Sequence, residues 1–96
     1  MATPRFPDDP GRHIPIGTRR FIVARDGATC VYCWEEGYDI DHVYPWSQGG
    51  THDIANLVCC CQRCNSVAGE RVFSEFSEKR TYVRTRLVQL GERQAA

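Results

Sequence analysis

Two matched cysteine pairs constrain this chain more than any other feature of its sequence. Cys30 and Cys33 are separated by two residues, as are Cys61 and Cys64, and a long insert lies between the pairs. Each pair forms a knuckle that presents two thiolates, and four thiolates close a tetrahedral zinc site. Two disulfides are the alternative, but they need an oxidising compartment that nothing in the sequence supports. We therefore expect a structural Zn²⁺ that joins both ends of the insert.

The length of the chain limits its architecture to one domain. Ninety-six residues can bury only a small core, and domains of this size often depend on a staple such as a metal. No apolar run is long enough to span a bilayer, and the first ten residues hold three prolines instead of the apolar segment of a signal peptide. We expect a protein without a membrane partner in the cytoplasm of a bacterial or phage-infected cell.

The pattern of apolar and turn residues predicts an α+β domain. Residues 1–15 are expected to form a loose N-terminal arm, residues 16–70 the core, and residues 71–96 a C-terminal helix on the same domain. Thr18 is the expected cap of a lead-in helix that ends at Arg25.

The insert itself predicts a strand, a loop and a second strand. The strands are expected at 38–43 and 56–60, on either side of a Gly-Gly loop, and a short helix follows over 62–68. A last helix is expected from about Ser74 to Leu90. Its apolar stripe consists of Phe76, Val83, Leu87 and Leu90.

The charge of the chain is unevenly distributed although its net value is zero. Residues 35–70 are acidic and both flanks are basic, which suits a cation in the middle and a polyanion such as DNA at the flanks. For any single arginine, an ordinary solvated surface is the alternative. The candidates for DNA contacts lie beside the stripe of the last helix: Arg80, Arg84 and Arg86.

Polar residues with a shared chemistry occupy the junctions of the insert. Asp41 and His42 lie on the first predicted strand, Asn56 begins the second, and Asn65 follows Cys64. A neutral imidazole can accept a proton from water, and a carboxylate with an amide oxygen can hold a divalent ion with open positions. Because adjacent strand residues normally point to opposite faces, we expect a bend in the chain if Asp41 and His42 are to act at one site.

The insert and its flanks also resemble a known family. The stretch IDHVYPWSQGGTHDIANLVCCCQRCN, preceded by RRFIVARDGATCVYC, resembles the HNH endonucleases of the four-cysteine zinc subgroup over about residues 16–70. The resemblance implies a ββα-metal fold and hydrolysis of DNA phosphodiesters. It implies that His42 is the general base, that Asp41 and Asn65 bind a catalytic Mg²⁺ or Mn²⁺, and that Asn56 holds the loop and orients the base.

Two positions depart from the pattern of that family. Trp34 follows the first knuckle where the family often has glycine, and Ala68 precedes Gly69 where it often has lysine. The second departure removes a cation near the expected phosphate. We therefore expect weak intrinsic affinity for DNA and a larger DNA-handling partner that delivers the substrate.

Two other functions are compatible with the paired cysteines. A catalytically silent zinc module that binds DNA or protein would not require the four polar junction residues together. A rubredoxin-like electron carrier typically has glycine after each knuckle, where this chain has Trp34 and Asn65. A zinc deaminase is excluded, because its H-x-E and P-C-x-x-C segments are absent.

The remaining cysteines, histidines and aromatic residues receive structural interpretations. Cys59 and Cys60 lie in an apolar run and are expected to fill the core as small hydrophobic residues. His13 and His52 are expected to be structural or solvated. Three aromatic residues are expected in the core or over the zinc site: Trp34, Tyr38 and Trp46.

Overall fold

The polypeptide is built around one β-hairpin with helices packed on both of its faces. The computed structural model describes residues 10–95, and the α+β class predicted from the sequence is confirmed. Three single-turn helices lie at Pro10–Arg12, Trp46–Gln48 and Ile54–Asn56. The main elements in chain order are helix α1 (Ile16–Arg25), strand β1 (Asp39–His42), strand β2 (Leu57–Cys60), helix α2 (Gln62–Ala68) and helix α3 (Phe76–Ala95).

The register of the hairpin divides its side chains between two small cores. The strands are antiparallel, with Ile40 opposite Cys59 and His42 opposite Leu57. Since successive strand residues alternate in direction, Ile40, Leu57 and Cys59 share one face, where they pack against Ile22 of α1. This first core ties α1 to the hairpin.

The second core lies on the opposite face of the hairpin, between the cysteine knuckles and the last helix. It is formed by fully buried residues from the first knuckle, β2, α2 and α3 and is extended by Phe76 and Leu87 of α3. Its buried members are Cys30, Tyr32, Cys60, Cys64, Ala68 and Val83. The expectation that Cys59 and Cys60 fill core positions is confirmed, because both are completely buried.

The boundaries of the helices differ from the sequence-based expectation at two places. Thr18 is not the cap of α1, which begins at Ile16 because the Arg19 amide already donates to the Pro15 carbonyl at 3.0 Å. Helix α3 begins at Phe76 and continues past Leu90 through Gly91. A single glycine costs a helix only about 1 kcal/mol, so it does not have to end one.

The Gly-Gly loop between the strands has a backbone that only glycine accommodates. Gly49 has φ of 101°, in the left-handed region. A Cβ atom at Gly50 would lie 1.9 Å from the Tyr44 carbonyl oxygen, so a side chain cannot fit there. The loop therefore folds closely back on the end of β1.

Two expectations concern the ends of the chain and the membrane. The first nine residues of the predicted N-terminal arm lie outside the described residues, and its remainder contains the turn at Pro10–Arg12 and the buried Ile14. Within residues 10–95, no helix has the length and apolar character needed to cross a bilayer.

Candidate active site and metal centre

The four cysteines of the two knuckles come together in one cluster. The sulfur atoms of Cys30, Cys33, Cys61 and Cys64 all lie within 4.8 Å of one another. The Sγ atoms of Cys33 and Cys61 are 3.8 Å apart. When four sulfurs each lie about 2.3 Å from a tetrahedral zinc ion, the distance between two of the sulfurs is roughly the one that separates Cys33 and Cys61 here. The donor set and its spacing therefore fit Zn²⁺.

Backbone amides hold the cysteine thiolates in place. Cys61 caps the N-terminus of α2, and its Sγ accepts a hydrogen bond of 3.4 Å from the Cys64 amide. Although burial opposes ionisation, amides that include those of Cys33 and Cys61 keep the pKa of the Cys30 thiol below its usual value. The first knuckle closes through Trp34, whose amide donates to the Cys30 carbonyl and whose φ of 68° is left-handed.

An open cleft of about 560 Å³ runs along the outer edge of β1. All four residues of β1 line it, from Asp39 to His42. On one side it is bordered by residues of α1 and the segment before it, including Arg12 and Arg19, and on the other side by residues of α2. Because the cleft follows the edge of the strand, side chains from both of its faces reach it. The bend that we expected between Asp41 and His42 is therefore not needed.

Asp41 is buried at the base of this cleft and carries two strong contacts. Its Oδ2 atom lies 2.9 Å from the ammonium nitrogen of Lys79 and accepts a hydrogen bond from the Tyr32 hydroxyl. Burial raises the pKa of Tyr32, so this hydroxyl stays protonated as a donor. Both contacts use Oδ2, which makes Oδ1 the carboxylate oxygen that can serve a cation in the cleft.

Lys79 is a residue of the candidate site that the sequence analysis missed. It is completely buried, and its ammonium also donates to the carbonyls of His42 (2.8 Å) and Val43 (3.0 Å). Two features of the sequence could have identified Lys79. Lys79 is the only lysine in the chain, and it occupies the apolar stripe of α3 between Phe76 and Val83. A cation at a stripe position indicates a buried partner.

His42 lies at the end of β1 and contacts a second imidazole. Its Nε2 atom is 2.9 Å from Nδ1 of His52, whose Nε2 is 2.6 Å from the Gly11 carbonyl oxygen. The indole of Trp46 stacks on the His52 ring, with centroids 4.3 Å apart and an interplanar angle of 12°. His52, which we expected to be structural or solvated, thus bonds directly to the candidate base.

Asn56 and Asn65 occupy different positions around the cleft. The Asn56 side chain accepts from the Tyr44 amide at 2.8 Å and donates to the carbonyls of Tyr44 (3.1 Å) and Thr51 (2.9 Å). The Asn56 side chain therefore spans the Gly-Gly loop. Asn56 is not one of the described residues that line the cleft. Asn65 of α2 lines the cleft together with Asp41 and His42.

The arginines that we selected on α3 lie away from the cleft. The Arg80 guanidinium packs over the Trp34 ring at 5.8 Å from its centroid, and Arg86 bonds to Gln89. Arg84 is exposed. Among the arginines with described side chains, those that line the cleft are Arg12 and Arg19.

Two of the aromatic residues that we placed in the core or over the zinc are exposed instead. Trp34 is 58% and Tyr38 62% accessible to solvent. Trp46 is half-buried against His52, so it belongs to the cleft rather than to the zinc site.

Comparison with known proteins gives one match. The family model for HNH endonucleases matches residues 30–81, which is just over half of the chain and extends from the first knuckle into α3. Neither a curated protein nor a solved structure matches the chain. The matched segment contains the four cysteines, both strands, α2 and the residues of the cleft that those elements carry.

Proposed function

The chain belongs to the HNH endonuclease family, and on that premise we propose that it is a metal-dependent nuclease that hydrolyses DNA phosphodiester bonds in the cleft along β1. One observation carries this proposal. Asp41, His42 and Asn65 come from a strand and a helix and meet in a single open cleft. The four-cysteine cluster joins the two ends of the segment that bears them. A zinc-binding module without activity does not need this convergence.

His42 is the group that activates water in this proposal. A neutral imidazole takes a proton from a water molecule, and the oxygen, left with its electron pair, attacks phosphorus. The bond from phosphorus to the ester oxygen on the far side breaks, and that oxygen leaves with its electrons and takes a proton from solvent. Asn56 supports the step indirectly, because it fixes the loop that follows His42.

The chemistry of the donor set fits a catalytic divalent ion in the cleft. Asp41 Oδ1 and the Asn65 amide oxygen are hard donors of the kind that Mg²⁺ and Mn²⁺ prefer, and they leave positions for water and phosphate. Such an ion would supply charge neutralisation at the phosphate. The Lys79 ammonium already offsets the charge of Asp41, so this chain should hold the ion weakly.

The substrate and its delivery follow from the charge of the chain. Arg12 and Arg19 provide cations at the side of the cleft, where they can contact the phosphates that flank the scissile bond. A net charge of zero provides little long-range attraction to DNA. We therefore propose that a larger DNA-handling partner presents the substrate.

A plasmid-nicking assay tests the proposed activity. Purified protein is incubated with supercoiled plasmid at a series of Mg²⁺ and Mn²⁺ concentrations, alongside His42→Ala and the exposed-surface control Arg84→Ala. Wild type and the control should cut only when the ion is present. His42→Ala should lose about 10²–10⁴-fold, the contribution of a general base, and keep its zinc. Equal cutting by wild type and His42→Ala would show that His42 is not the base.

A further inference from the structure

The candidate base belongs to a chain of two hydrogen bonds that begins at a backbone carbonyl. The Gly11 oxygen lies 2.6 Å from His52 Nε2, and His52 Nδ1 lies 2.9 Å from His42 Nε2. The stacked Trp46 ring holds the His52 imidazole in its plane. The chain thus joins the segment before α1 to the loop after β1 and to the end of β1 itself.

The polarity of these bonds fixes the tautomers of both rings. A carbonyl oxygen only accepts, so His52 Nε2 must carry hydrogen. A neutral imidazole has one N–H group, so His52 Nδ1 is an acceptor, and the N–H in the second bond belongs to His42 Nε2. It follows that the basic lone pair of neutral His42 is on Nδ1.

We propose that His52 is a positioning residue that selects this tautomer of His42 and orients its ring, so that Nδ1 is the atom that takes the proton from water. The catalytic consequence rests on the proposed nuclease function, whereas the tautomer is a property of the folded protein alone. After proton uptake both nitrogens of His42 carry hydrogen, and His52 Nδ1 continues to accept from Nε2. The same bond therefore stabilises the imidazolium that the reaction forms.

The tautomer can be measured directly in the wild-type protein. Two-bond ¹H–¹⁵N correlation spectra distinguish the protonated from the unprotonated ring nitrogen of each neutral histidine. We expect His42 and His52 both to appear as the Nε2–H form. A His42 ring that carries hydrogen on Nδ1 would overturn the proposal.

Two conservative variants separate orientation of His42 from simple anchoring of the loop. In His52→Asn the amide oxygen takes the place of Nδ1 and can accept from His42, while the bond to Gly11 is lost. In His52→Gln the amide nitrogen takes the place of Nε2 and can donate to Gly11, while the acceptor for His42 is lost. If His52 orients the base, Asn preserves activity and Gln does not. If it only anchors the loop, the order is reversed.

His52→Leu lacks both the acceptor for His42 and the donor to Gly11, so its activity measures the full contribution of His52. Removing a partner that orients a functional imidazole costs about 10- to 100-fold, and we expect a fall of that size in kcat with KM little changed. Thermal denaturation of each variant shows that the fold is intact. Equal kcat for wild type and His52→Leu would contradict the proposal. A wild type that has the expected tautomers but cuts no DNA would contradict the nuclease function and support the assignment of the tautomer.

Discussion

The ammonium of Lys79 lies 2.9 Å from the Asp41 carboxylate, and both side chains are almost completely buried. The contact joins α3 to the middle of β1. Each of the two buried charges is stabilised by the other, because water cannot reach either charge to solvate it if its partner is removed. The pair therefore connects the stability of the C-terminal helix to the geometry of the candidate metal ligand.

We predict that Lys79→Met lowers the free energy of unfolding by about 3–5 kcal/mol, the usual cost of removing one member of a buried ion pair. Methionine fills a similar volume, so the loss comes from the unpaired Asp41 carboxylate and from the carbonyls of His42 and Val43. Urea denaturation measures the change. The matched control is Arg84→Met on the exposed side of α3, which should change stability by less than about 0.5 kcal/mol. Similar losses for the two variants would contradict the assigned role of the ion pair.

A second prediction separates the zinc ligands from the other buried cysteines. Cys64 and Cys60 are both completely buried in the same core, but only Cys64 belongs to the four-sulfur cluster. Zinc binding in small domains contributes folding energy on the order of 10 kcal/mol. Cys64→Ser should therefore yield unfolded or insoluble protein. Cys60→Ser should stay folded and bind one zinc per chain, as measured by elemental analysis. A cooperatively folding Cys64→Ser variant would contradict the zinc site.

The zinc cluster and the order of elements could be predicted from the sequence because they depend on local spacing. Paired cysteines, glycines and apolar runs each constrain only their own neighbourhood, and that is enough for a knuckle, a turn or a strand. The contacts of Asp41 with Tyr32 and Lys79 are different in kind. Neither follows from local spacing: Lys79 reaches Asp41 only because α3 packs against the hairpin, and Tyr32 reaches it from the first knuckle.

The same distinction explains why the sequence did not reveal the contact of His52 or the exposure of Trp34. A histidine in a loop has no periodic pattern that reveals its partner, and the partner of His52 lies on a strand ten residues earlier. Trp34 was expected in the core or over the zinc site, but its backbone after the knuckle is left-handed. Its side chain is largely exposed to solvent, which its size and apolar character do not predict.

The backbone at Trp34 leads to a third prediction. A non-glycine residue at φ of 68° carries a strain of roughly 1–2 kcal/mol that glycine does not. The Trp34 side chain is 58% exposed, and its contact with Arg80 is near the 6 Å limit for a cation–π interaction. We expect Trp34→Gly to raise the free energy of unfolding by about 1 kcal/mol. Trp34→Ala is the control, since it removes the indole and keeps the strain. Stabilisation by alanine equal to that by glycine would show that the backbone is not the cause.

The positions of the arginines lead to a fourth prediction. Arg19 lines the cleft, whereas Arg84 is exposed on α3 and lies outside it. If DNA binds along β1, Arg19→Ala should weaken binding and reduce the slope of log K against log salt by about 1, because one phosphate contact is lost. Arg84→Ala should leave the slope unchanged. Fluorescence anisotropy with a labelled duplex measures both. A loss confined to the Arg80, Arg84 and Arg86 variants would place the DNA on α3 instead.

The last prediction concerns the ion that supports cutting. Asp41 and Asn65 supply hard oxygen donors, so activity should need added Mg²⁺ or Mn²⁺, and Mn²⁺ should act at lower concentration because it binds such donors more tightly. Excess Zn²⁺ should inhibit, because zinc favours imidazole ligands and its capture of His42 would remove the base. Dialysis should remove the activity but not the zinc of the four cysteines.

Asp41→Asn tests the ligand in that prediction while keeping acceptors for Tyr32 and Lys79. Loss of the carboxylate charge should raise the Mn²⁺ concentration for half-maximal cutting by more than about tenfold, since even the loss of an outer partner of a metal ligand costs that much. Asp39→Asn is the matched control, because Asp39 also lines the cleft on β1. It should shift the Mn²⁺ requirement little. Equal shifts would place the ion elsewhere, and full activity of dialysed protein without added metal would exclude a second metal ion.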